Sequence, residues 1–153
     1  MLRKLLGKAG KQPIVPPLLI ELIKTGRWKQ PSDETIKSVI PFLQEPMDFL
    51  LDIDTMQRES TGFLADSPEM ADLFHEYRGS KVPERELPWL DVDKVLFIAV
   101  NRIAGADLGI ALDYRTGLED PRVVASDWQS GGNTHYWREV ENKFSDFVRK
   151  LGL

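Results

Sequence analysis

Apolar and polar positions divide the chain into a helical front and a sheet-forming back. Pro16-Pro17 is followed by Leu18-Leu19-Ile20-Glu21-Leu22-Ile23-Lys24, in which Leu18, Leu19, Leu22 and Ile23 form one stripe. That spacing predicts a short helix with proline in its first turn and Gly26 as its stop. Ser32 reads as the N-cap of a second helix, with Asp33 and Glu34 complementing its dipole. Ile36, Val39 and Ile40 supply its buried side, and Pro41 ends it. Pro46 opens a brief turn through Met47, Phe49 and Leu50, and 52–66 shows no period and reads as mostly irregular. A third helix is predicted from Ser67-Pro68-Glu69, with Met70, Leu73, Phe74 and Tyr77 at i, i+3, i+4 and i+7 and Gly79 beyond them.

After a polar linker from Ser80 to Asp93 the pattern changes. Val95 to Val100 is a continuous apolar run of strand length, expected of a strand covered on both faces. A turn follows over 101–107, containing Gly105. Leu108 to Arg115 alternates, with Leu108, Ile110, Leu112 and Tyr114 on one face and Ala111, Asp113 and Arg115 on the other. Arg122–Trp128 and Tyr136–Val140 read as two further strands, separated by turns at 116–121 and 129–134, the latter holding Gly131-Gly132. The short connections favour antiparallel neighbours. Val140, Phe144, Phe147, Val148 and Leu151 share the face of a closing helix, with Arg149-Lys150 in its last turn and Gly152 after it.

The expected fold is therefore α+β: an antiparallel sheet of at least four strands (a mixed sheet being the alternative), packed against N-terminal helices and a C-terminal amphipathic helix. At 153 residues the chain fits one domain, 1–153. Within it, 1–12 is expected to be flexible, 13–80 to be mainly helical, and 95–153 to hold the sheet and last helix.

Composition narrows the chemistry. A formal net charge of −4 argues against a dedicated nucleic-acid binder. The absence of cysteine excludes a disulfide framework and thiolate metal sites. Arg3, Lys4, Lys8 and Lys11 make the start basic, but Leu5-Leu6 runs straight into Gly7-Lys8, so a signal peptide is not expected. No run approaches the roughly 18 apolar residues of a spanning segment. A cytoplasmic protein with no stable membrane insertion is expected.

Candidate chemistry is sparse. His75 and His135 lie far apart, each without a second ligand at helical or hairpin spacing, so no metal is expected. There is no Gly-x-Ser-x-Gly elbow and no glycine-rich phosphate loop. Asp52 with Asp54, and Asp91 with Asp93, lack the remaining ligands of a calcium loop and read as solvated ends. The strongest cluster is Asp113, Arg115 and Asp127. It could supply a general acid and base if burial raised one carboxyl, or form a cross-strand ion-pair network; the network is favoured. Of the four tryptophans, Trp128 and Trp137 read as core. Trp89, between Pro88 and Leu90, reads as a contact residue.

Five segments in order carry a resemblance. Leu96-Phe-Ile-Ala-Val, Ile110-Ala-Leu-Asp-Tyr-Arg115, Pro121-Arg-Val-Val-Ala-Ser-Asp-Trp128, Trp137-Arg-Glu-Val140 and Phe144-Ser-Asp-Phe-Val148 together resemble the SUKH superfamily of Smi/Knr-like proteins. The match spans about residues 89–153. It implies a non-enzymatic binding domain without cofactors. Bacterial members look like immunity proteins that bind and neutralise a cognate toxin, and fungal members are regulatory interaction proteins. On that reading the partner is another protein, and Trp89, Asp113, Arg115 and Asp127 belong to scaffold or interface. The alternatives are a small enzyme using Asp113, Asp127 and Arg115, or an adaptor or homodimer joined through Leu18–Ile23 or Met70–Tyr77.

Overall fold

The computed structural model describes residues 14–61, 86–103, 108–127 and 136–153. The basic start, the helix expected over Met70–Tyr77, both histidines, Trp128 and the glycines at 105, 131 and 132 lie outside them.

Helix α1 (Pro17–Lys24) and helix α2 (Asp33–Val39) form where proline and cap signals place them. Ser32 Oγ accepts the Thr35 N–H, and Gly26 leaves α1 at φ +72°. Strand β1 (Met47–Phe49) and helix α3 (Ile53–Thr61) follow. The chain then supplies β2 (Val95–Asn101), β3 (Gly109–Asp113), β4 (Arg122–Ser126), β5 (Trp137–Glu141) and helix α4 (Phe144–Leu151). The five strands form one antiparallel sheet in the order β1-β2-β3-β4-β5. This is the expected α+β fold.

Four details differ from the sequence reading. Met47–Phe49 is a strand and not a turn; three residues are too short to show a period, and their partners are Ala99 to Asn101. Ile53–Thr61 is helical and not irregular. Its apolar face is thin, with Met56 and Ser60 the buried positions, and Asp52 accepts the Thr55 N–H at its start. Tyr114 and Arg115 leave the strand for a 3₁₀ turn over Tyr114–Thr116. Val140 stays in β5, and α4 begins at Phe144.

Cross-strand pairs share a face of the sheet, which sorts the core. Leu96, Leu112 and Val123 form one row, and Ala99, Ile110 and Ala125 another on the same side. Phe49 extends that side from β1 and touches the Trp28 ring at 5.2 Å, which in turn lies 6.0 Å from Phe144 of α4. Trp28 is thus a core residue; its indole N–H donates to the Leu50 carbonyl at 2.8 Å. The opposite face carries Phe97, Ala111 and Val124, with Val95, Asp113 and Arg122 at one end. The central strands are buried on both sides, as the apolar run predicted for β2.

Both edges of the sheet are occupied. The Gln30 side chain donates to the Met47 carbonyl at 2.9 Å and accepts the Phe49 N–H at 2.7 Å, imitating a further strand along β1. At β5 the Trp137 N–H donates to the Pro88 carbonyl at 2.9 Å, and a register shift between Val123 and Val124 breaks the regular ladder with β5. Covered, bulged and charged edges of this kind resist pairing with another sheet.

Candidate partner-binding site

Asp113 closes β3 and is fully buried. Arg122 stands opposite it on β4, and its Nε and one terminal nitrogen donate to Oδ2 at 3.0 and 2.9 Å. Arg115 folds back from the 3₁₀ turn, its backbone N–H capping Oδ1 and its guanidinium donating to both oxygens at 2.9–3.2 Å. Arg115 also donates to the Trp89 carbonyl at 3.0 Å, so Trp89 enters the network through its backbone. Arg122 reaches outward to Glu86 at 2.7 Å and lies 3.6 Å from Glu139.

A carboxylate removed from water needs partners on both oxygens, and Asp113 has them from its own chain. Glu86, at the rim, titrates below its ordinary value because the Leu87 N–H and then Arg122 hold its charged form. Burial pulls the Arg122 guanidinium down, but Glu86 and Asp113 outweigh it and the net shift is upward. The chemistry of this cluster is cohesion: it ties β3, β4 and the 86–90 segment together.

Asp127 lies elsewhere. It follows the end of β4, five residues beyond Arg122, which at about 3.3 Å per strand residue puts it roughly 16 Å from the Asp113 network. The structure therefore joins Asp113 to Arg115 but does not bring Asp127 to them. Buried Asp127 pairs instead with Arg138, its Oδ2 accepting from Nε at 2.7 Å and from a terminal nitrogen at 2.6 Å. The Arg138 side chain remains 53% exposed, with its guanidinium 5.5 Å from the centre of the Phe42 ring. Beside it an open groove of about 270 Å³ is lined by Leu87, Pro88, Tyr136, Trp137 and Glu139 together with the Asp127–Arg138 pair. The Leu87–Pro88 peptide on its wall is cis.

The sequence reading missed Arg122, Glu86, Arg138 and Phe42. One signal was available: an arginine opening an apolar strand covered on both faces requires an acid opposite it. Arg138 carried no such sign. Of the acids read as solvated ends, Asp52, Asp54 and Asp93 are exposed as expected, but Asp91 is buried, with Oδ1 accepting the Asp93 N–H and Oδ2 without a partner. Asp52 caps α3, and the Thr55 N–H lowers its pKa. Among the described residues no group of three or more His, Cys, Asp or Glu is placed to hold a metal ion. No described helix is long and apolar enough to cross a membrane.

No family model matches the chain, and neither a curated protein nor a solved structure shows significant similarity to it.

Proposed function

We propose that this protein is a non-enzymatic protein-binding domain of the immunity type, which captures and neutralises a cognate toxin. The observation that carries the reading is Arg138. A buried carboxylate fixes its guanidinium, an aromatic ring flanks it, and half its surface is left at the mouth of a groove lined by Tyr136 and Pro88. Arginine and large aromatics are the side chains that dominate binding energy at interfaces, most of all when held in place before the partner arrives.

Two further observations support it. Both oxygens of Asp113 are engaged by Arg115 and Arg122, which suits a scaffold better than a proton-transfer site. The five segments that resemble SUKH proteins also fall on β2, β3, β4, β5 and α4, one on each.

The test is co-expression with toxin-like reading frames encoded beside its gene. Rescue of growth and a stoichiometric complex are expected from one pairing, and Arg138→Ala should weaken that complex at least tenfold. Neither rescue nor co-purification in any pairing would sink the reading.

A further inference from the structure

We draw no further inference here: the strongest candidate, the basic segment 1–11 ahead of α1, whose Arg3, Lys4, Lys8 and Lys11 are interleaved with Leu2, Leu5 and Leu6, lies outside the described residues, so nothing in the structure shows what it contacts.

Discussion

Arg122 stands directly across the β3–β4 ladder from Asp113, and its guanidinium meets the carboxylate at 2.9 Å in a site where both side chains are almost fully shielded from water. Arg115 completes the same carboxylate from the turn between the strands. One acid is thus shared by two arginines, with Glu86 and Glu139 supplying further negative charge from the rim.

Replacing Asp113 by Asn keeps the shape and removes the charge, leaving two shielded guanidiniums facing each other. The expected loss is about 3–5 kcal/mol, the range for breaking a buried pair by removing one partner. Urea denaturation checks it; a loss below about 1 kcal/mol would show that the arginines are solvated in spite of their burial. Replacing Asp113, Arg115 and Arg122 together by apolar residues of similar volume should cost far less than Asp113→Asn, because no charge is then stranded.

Gly109 is required by contact and not by conformation. A methyl group there would sit 3.1–3.2 Å from the rings of Phe97 and Trp137, which are themselves buried and packed at 5.8 Å between centroids. The rings would have to give by a few tenths of an ångström to admit it. Gly109→Ala should cost about 1–3 kcal/mol, as overpacking does, and lower the thermal midpoint without altering the fold. An unchanged midpoint would mean that the Phe97–Trp137 pair yields.

Gln30 guards the β1 edge. Gln30→Ala removes its two hydrogen bonds to β1, worth about 0.5–1.5 kcal/mol each. It also uncovers the Phe49 N–H and leaves the Met47 carbonyl only a 3.4 Å bond from Arg102, so a concentration-dependent dimer is expected in sedimentation velocity that the parent lacks at equal loading. A variant that sediments like the parent across that range would assign the protection of this edge to something other than Gln30.

Acid should weaken the fold in a defined window. Asp33, Asp52 and Glu86 all titrate below their ordinary values of 3.8, 3.8 and 4.5, held respectively by Arg102, the Thr55 N–H and the Leu87 N–H. A carboxyl group held low binds its proton more weakly in the folded than in the unfolded chain. Its stabilisation is therefore complete above the ordinary value and disappears as pH falls through the lower folded value. The urea midpoint should respond little to these three groups above about pH 5 and drop below about pH 4. Glu86→Gln should make the upper part of that drop shallower, and an acid limb unchanged in the variant would deny Glu86 its part.

The local alphabet of the sequence determined much of the architecture. Pro17, Ser32 and the Leu18–Ile23 stripe define α1 and α2 because caps and stripes act within one or two turns. The apolar run of β2, the alternation in β3 and the short connections after it define an antiparallel sheet, since period and loop length are written along the chain. The Phe144, Phe147, Val148 and Leu151 face with Gly152 defines α4 on the same terms; Gly152 does adopt φ +79°. Tertiary structure decided the rest. β1 is too short to carry a period and exists because β2 offers it an edge. α3 has a thin apolar face and is held by β2, where buried Ser60 accepts the Phe97 N–H at 2.8 Å. The candidate site belongs to this second class. Asp113, Arg115 and Asp127 look like one cluster in sequence, but register places Asp113 opposite Arg122 and carries Asp127 to the far end of β4, where it fixes Arg138. Pattern reveals which side chains a strand can bury, while the pairing of distant strands decides which charges meet.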